Sequence, residues 1–285
     1  MKNSRTGLII ETMELATMNS NTNIPLAKTE NHTSCKVTTV DIKTDEQSKS
    51  LKREKGSYIT VEFDKTYRIT DDDFEELIGV IADKIRHFSD EFFGKRIVVA
   101  GIGNKNITAD SVGPKSIERI IVTRALENTE FISSGCFGNV SAIAADVFGV
   151  TGIESAELIE GISKVLNPSL IIVIDALATT SLSRLCKTIQ ISNTSLTPGG
   201  GVDNARKSIS TNNLKVPVIS IGIPTVIDVC DFLKSDIKTE YDDSLVAMPA
   251  RIDDATDMGA KIIAFSLNKA LHNNLPVEDI LKFLY

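Results

Sequence analysis

Runs of branched apolar residues alternate with amphipathic stretches along most of this chain, which predicts strands taking turns with helices. R-I-V-V-A-G at 96–101 and L-I-I-V-I at 170–174 are continuous apolar runs next to Gly or Pro. Such runs read as strands buried on both faces of a parallel sheet. Further strands are predicted at 187–192 and 217–221, the last leading into G-I-P-T-V-I-D as another strand-to-loop junction. Asp71 to Phe88 opens with an acidic turn and sets Phe74, Leu77, Ile78, Ile81 and Ile85 at helical spacing, which predicts an amphipathic helix. Helices are also predicted at Lys115–Ala125 after Pro114, at Ser155–Leu166 before Asn167-Pro168, and at Asp253–His272. Two alternating stretches, V-T-T-V-D-I at 37–42 and S-Y-I-T-V-E-F at 57–63, predict strands forming a hairpin or an edge of the main sheet. The polar residues between them predict a loop.

Strands alternating with helices imply right-handed crossovers and an α/β fold, a mainly parallel sheet sandwiched by helices. One such domain is expected over 36–285. Residues 1–35 are rich in Asn, Thr and Ser, without a sustained period. They read as an N-terminal arm or prosegment, with a short helix near Thr12–Met18.

Composition narrows the function classes. A net charge of −7 over 285 residues argues against a general nucleic-acid binder. The basic cluster Lys49, Lys52, Arg53 and Lys55 reads as a solvated loop, with an acidic or nucleic-acid-bound partner as the rival reading. No stretch approaches the roughly 18 apolar residues of a membrane span. The first apolar run is broken by Glu11, a poor signal peptide, so a cytoplasmic protein is the default expectation. Cys35, Cys136, Cys186 and Cys230 are dispersed and form no C-x-x-C pair, which predicts free thiols.

The candidate chemistry lies at two aspartates. Asp110 follows the first apolar strand through G-I-G-N-K-N-I-T-A-D, and Asp175 ends the second. Ligands in open α/β sheets bind beyond the carboxyl ends of such strands, so two carboxylates delivered there from distant parts of the chain suggest a catalytic pair. G-I-G-N lacks the third glycine of a dinucleotide fingerprint, and Asp110 would oppose a pyrophosphate. Gly101 and Gly103 instead suit a tight turn that brings Asp110 into a cleft; a helix cap fits its spacing equally. A carboxylate directly after four Ile or Val residues needs pairing, hydrogen bonds or a solvated cleft, although a structural cap remains the alternative for Asp175. The loop T-P-G-G-G-V-D-N-A-R-K at 197–207 offers backbone amides for an oxyanion, or is a flexible surface loop with a basic end. Its Gly199, Gly200, Gly201 and Arg206, with Gly103 and Asn104, are candidates for shaping the cleft. No histidine occurs between His87 and His272, so no metal site and no cofactor is expected.

The blocks G-I-G-N-K-N-I-T-A-D-S-V-G-P-K, G-V-T-G-I-E-S-A-E-L-I-E-G, P-S-L-I-I-V-I-D-A-L-A, V-P-V-I-S-I-G-I-P-T-V-I-D and M-P-A-R-I-D-D-A-T-D-M-G together resemble the germination proteases of endospore-forming bacteria. The resemblance runs from the N-terminal arm almost to the end. It implies a fold like that of the hydrogenase maturation proteases. It also implies an atypical aspartate-dependent endopeptidase that degrades small acid-soluble spore proteins in the forespore and spore core, is made as a zymogen and assembles as a homotetramer. The family's two catalytic aspartates fall on Asp110 and Asp175.

Three departures from the family pattern stand out. Family members self-process between an acidic residue and a leucine, whereas Gly7 precedes Leu8 here; Glu11 or Glu14 would serve instead, or activation differs. Thr197 and Asp203 stand where His and Gly are expected. The gap between I-P-T-V-I-D and the terminal helix is spanned by Val229 to Val246 alone, shorter than in longer members. Two rival functions follow: a non-catalytic paralogue that binds spore proteins, and a metal-dependent maturation endopeptidase of the same fold.

Overall fold

A computed structural model describes residues 6–18, 23–64, 71–198, 207–229 and 245–284. Its frame is one sheet. The strands are β1 (Ala27–Asn31), β2 (Lys36–Ile42), β3 (Gly56–Glu62), β4 (Arg96–Ile102), β5 (Asn139–Ala145), β6 (Leu170–Thr179), β7 (Thr188–Ser192), β8 (Val218–Asp228) and β9 (Val246–Ala247). Their order is β1-β2-β3-β7-β8-β6-β4-β5, with β9 beside the end of β8. The centre, β8-β6-β4-β5, is parallel, while β1, β2, β3 and β7 extend it by antiparallel pairs.

The long helices are α1 (Ile9–Met18), α2 (Asp45–Leu51), α3 (Asp71–Ser89), α4 (Val112–Ile117), α5 (Ser155–Leu166), α6 (Ile252–Leu271) and α7 (Val277–Leu284). Strand alternation decides which helix each apolar residue meets. Ile97, Val99, Leu170, Ile172 and Ile174 pack with α3 and α6, through residues such as Ile81, Ile85, Ile263 and Leu267. Val98, Ala100, Ile171 and Val173 face the other way and pack with Ala156 and Ile159 of α5. This is why Ile97–Ala100 of β4 and Leu170–Ile174 of β6 are apolar at successive positions. Leu8, Ile9 and Ile10 cluster with Val40, Ile42, Leu51 and Tyr58, and Leu177 of β6 packs against that cluster. By alternation α1 therefore lies on the α5 side of the sheet.

Most predicted elements are present, and the differences have local causes. The polar 44–56 stretch, read as a loop, holds α2. Its N-terminus is closed by a capping box, with Thr44 accepting from the Gln47 N–H and the Gln47 side chain accepting from the Thr44 N–H. Both orphan donors are thereby satisfied. The helix expected at Lys115–Ala125 starts earlier and stops at Ile117. Beyond it the chain is captured by other elements, the Ile121 N–H donating to Asn268 Oδ1 and the Thr123 N–H to the Val140 carbonyl. The G-I-P-T-V-I-D stretch continues as strand to Asp228, because β6 and β9 supply partners for it. Within the first 35 residues, Ile9–Met18 is helical and Ala27–Asn31 is an edge strand. β1, β5 and α7 lie outside the elements predicted above.

Arg53 also departs from the solvated cluster expected of it. Its guanidinium donates to the Thr6 carbonyl at 2.5 Å and to Thr12 Oγ1 at 3.3 Å, and burial lowers its pKa. Cys35 and Cys186 are buried, and Cys136 is exposed; Cys230 lies outside the described residues.

Candidate active site

Asp110 closes a short 3-10 turn, Thr108–Asp110, between β4 and α4. The turn's tightness comes from the backbone. Gly103 has φ +128°, and a Cβ added there would lie 1.9 Å from the Asp110 carbonyl oxygen. Only glycine tolerates that combination. The reversal aims the Asn104 N–H at Asp110 Oδ2, 2.7 Å away. Asn104 braces the loop further: its side-chain oxygen accepts from the Asn106 N–H at 2.9 Å, and its carbonyl from the Ile107 N–H at 3.0 Å. The N-cap position of α4 is Ser111, which makes no side-chain capping bond. Asp110 is partly buried.

The rest of the molecule holds this turn from outside. Thr108 Oγ1 donates to Asp253 Oδ1 at 3.1 Å, and Lys115 Nζ to Thr256 Oγ1 at 3.1 Å, both partners on α6. Ala109 packs on Leu185, Cys186, Ile227, Ile252 and Ala255. The turn therefore rests against β6, β8 and the start of α6.

Asp175 sits inside β6 and not in a loop beyond it, because the strand continues four residues past it. Its neighbour across the ladder is Gly222 of β8. It is 4% exposed, and its Oδ1 accepts from the Ala176 N–H at 2.9 Å. Alternation puts it on the face of Ile171, Val173 and Leu177. β4 and β6 are adjacent and parallel, paired from Ile97–Leu170 to Gly101–Ile174. Their carboxyl ends therefore open at one edge of the sheet.

The glycine-rich loop begins and ends on the Asp175 face. Leu196 and Ile209 form a two-bond bridge, at 2.9 and 2.8 Å, and both pack with Ile171 and Val173. Lys207 donates to Glu160 of α5 at 2.5 Å. Lys164 first, and then this lysine, hold the Glu160 carboxyl down at about 2. Gly199, Gly200, Gly201, Asp203 and Arg206 lie outside the described residues, and Thr197 is exposed. No group of three or more His, Cys, Asp or Glu suited to a metal ion occurs among the described residues. Among them, no helix is long and apolar enough to cross a membrane.

Part of the stretch read as an arm or prosegment forms a second layer at this edge. Residues Thr6 to Glu11 lie against the end of β6. The Gly7 N–H donates to the Ala178 carbonyl at 2.9 Å, and Gln190 of β7 accepts from the Ile9 N–H at 2.6 Å and donates to the Gly7 carbonyl at 2.9 Å. A Cβ on Gly7 would lie 2.9 Å from Leu177 Cβ. An acidic side chain at this position would thus need the segment to lift away. The signal for this layer was Glu11, an isolated acid in an apolar run.

A family model for germination protease matches residues 9–241 of this chain. The germination protease of Clostridium perfringens is 33% identical over 324 aligned positions, spanning 100% of both chains. That of Caldanaerobacter subterraneus subsp. tengcongensis is 39% identical over 226 residues, covering 79% of this chain and 69% of the relative. Among solved structures, the [NiFe] hydrogenase maturation protease HycI from Thermococcus kodakarensis aligns with 63% of this chain and 97% of its own, at 20% identity and a TM-score of 0.37. With the family model matched over most of its length and relatives matched end to end, the chain belongs to the germination protease family and is a hydrolase, an endopeptidase.

Proposed function

We propose that this endopeptidase initiates degradation of small acid-soluble spore proteins during germination, with Asp110 and Asp175 as its catalytic pair. The observation that carries the reading is positional. Two carboxylates 65 positions apart in sequence come from neighbouring parts of the fold, Asp110 from the turn after β4 and Asp175 from the adjacent parallel strand β6, and that turn packs against β6. One ionised carboxylate takes a proton from water as that water attacks the scissile carbonyl carbon. The protonated partner gives its proton to the carbonyl oxygen; the carboxyl that took the water's proton then passes it to the leaving nitrogen as the C–N bond breaks, and the hydroxyl proton returns to the partner as C=O re-forms. The two protonation states belong to the pair, so neither residue is assigned as the base. The Asn104 N–H fixes Asp110 within this scheme. The loop from Thr197 to Lys207, with Gly199 to Gly201 and Arg206, is assigned to shaping the substrate channel.

Family membership supports three further parts of the reading: synthesis as a zymogen, assembly as a homotetramer, and action in the forespore and spore core. For the zymogen, the Thr6–Glu11 segment beside Leu177 is the candidate restraint. The test is cleavage of a purified small acid-soluble spore protein, followed by intact mass, for the full-length chain beside Asp110→Asn and Asp175→Asn. Cutting at defined bonds that either substitution abolishes, with the fold retained, supports the pair. Unchanged cutting by either variant removes that aspartate from the mechanism.

A further inference from the structure

Glu11 is the most unusual buried group outside the aspartate pair. It is 1% exposed, on a segment that already buries Leu8 and Ile9 completely. Its carboxylate is surrounded by donors. Thr179 Oγ1 donates to Oε1, and the Thr180 N–H and Oγ1 donate to Oε2 at 2.9 and 3.0 Å. Thr6 Oγ1 donates to Oε2 at 2.5 Å, and Arg184 lies 3.6 Å from Oε1. An apolar side chain would anchor a helix to a sheet without desolvating a charge. Donors converging on both oxygens instead describe a receptor for a carboxylate.

The receptor belongs to the strand of the proposed catalytic pair. Asp175, Leu177 and Thr179 project from one face of β6 at every second position. Asp175 and Thr179 are therefore roughly 13 Å apart along the strand. Leu177 lies between them and meets Gly7. Another hold on the segment is blind to sequence: among the described residues the Gln190 side chain bonds main-chain groups, donating to the Gly7 carbonyl and accepting from the Ile9 N–H. A carboxamide bridging two main-chain groups would serve any extended peptide in the same way.

Charge points in the same direction. Arg184 donates to Glu14 at 2.8 and 2.5 Å and to Glu62 at 3.1 Å, besides its contact with Glu11. Two of these three carboxylates, Glu11 and Glu14, arrive on the N-terminal segment. Withdrawal of that segment would leave Arg184 with Glu62 alone and the Thr180 N–H without its acceptor.

We infer that Thr179, Thr180 and Arg184 form an acid-selective substrate subsite, that Gln190 reads the peptide backbone beside it, and that Glu11 occupies the subsite in cis. The ligand is a peptide segment carrying an Asp or Glu side chain. The inference rests on the peptidase reading of the Asp175 edge, since only that reading makes the peptide a substrate.

Binding and cleavage separate the two. A fluorescein-labelled peptide of residues 6–12 and its Gln counterpart at position 11 would be titrated, by anisotropy, into full-length wild type and full-length Glu11→Gln. Expected is at least tenfold tighter binding of the Glu peptide than the Gln peptide by Glu11→Gln, and at least tenfold weaker binding by wild type. Adding Arg184→Gln or Thr180→Val to Glu11→Gln should erase the preference. Equal affinity for both peptides, or binding of neither by a Glu11→Gln chain that melts like wild type, would overturn the subsite.

If Glu11→Gln does not fold, wild type decides by cleavage. A spore-protein peptide series with single Glu→Gln changes should lose at least tenfold in kcat/KM at one position, and Arg184→Gln should not show that loss. An even response across the series would also overturn the subsite. Acid-selective binding without cutting by any chain would keep the subsite and sink the peptidase reading.

Discussion

Gly103 and Asp110 are in backbone contact: a Cβ on the former would stand 1.9 Å from the carbonyl oxygen of the latter, at φ +128°. The same reversal carries the Asn104 N–H to Asp110 Oδ2. Position and hydrogen bonding of this carboxylate are thus set by one residue that has no side chain.

Gly103→Ala should therefore damage function more than stability. The strained φ alone costs about 1–3 kcal/mol and moving the Asp110 carbonyl clear of the Cβ adds to it, against the roughly 5–15 kcal/mol of a typical fold. The displaced turn should lower spore-protein cleavage by at least about 100-fold, since small misplacements of reacting groups have effects of that order. Cleavage rate and thermal unfolding measured on one preparation would check this; a stable variant with wild-type activity would show that the turn does not position a catalyst.

If Asp110 and Asp175 act as a unit, their losses should not multiply. Each Asn substitution should abolish most of the rate, and Asp110→Asn/Asp175→Asn should be no worse than the more damaging single change within about tenfold. Product of the two single losses in the double variant would mean independent roles.

His272 predicts an acid-sensitive fold. It is fully buried, its Nε2 lies 3.0 Å from the Ile121 carbonyl, and its Nδ1 has no partner among the described residues. Nε2 must carry the proton, and a second proton at Nδ1 would be a buried cation without an acceptor. Burial pushes the pKa from 6.5 down to about 4. Between those values the unfolded chain binds a proton that the folded chain refuses, so stability falls as pH falls from 6.5 to 4. The slope is at most about 1.4 kcal/mol per pH unit. His272→Gln should flatten the urea midpoint across that range; an unchanged pH dependence would rule out His272 as its source.

Thiol chemistry should be decoupled from activity. Burial pushes the Cys186 thiol up to about 12, and thiolate is the reactive form, whereas Cys136 is exposed. Iodoacetamide at pH 7.5 should label Cys136 in the folded protein and reach Cys186 only after unfolding, as read by peptide mass. Folded protein labelled at Cys136 should cut spore protein at the unlabelled rate; lost activity would implicate that thiol.

Much of this was legible before any coordinates. The apolar runs in β4 and β6, and the spacing of Leu77, Ile81 and Ile85, are imposed by burial on two faces or one, and burial writes itself into sequence period. Asp175 was visible because a carboxylate directly after four Ile or Val residues needs a reason, and Asp110 because it follows the loop beyond β4, where a helix cap fitted equally. β1 and β5 were not, since edge strands bury little and carry weak alternation. α2 was hidden because its stability comes from a capping box and from docking of Leu51, not from a sustained stripe.

The sequence by itself determined the helix-flanked α/β sheet, the ordered motifs of the germination protease family, and the two aspartates that follow its apolar runs; only the fold showed that Asp175 lies inside β6. Only the tertiary structure decided what lies beside them. Glu11 meets Thr179 and Thr180 across 168 and 169 positions of chain, and Gln190 meets Gly7 across 183. Periodicity records whether a residue is buried. It does not record which distant partner satisfies a buried charge, because that choice depends on strand order and crossover packing, which no local pattern encodes.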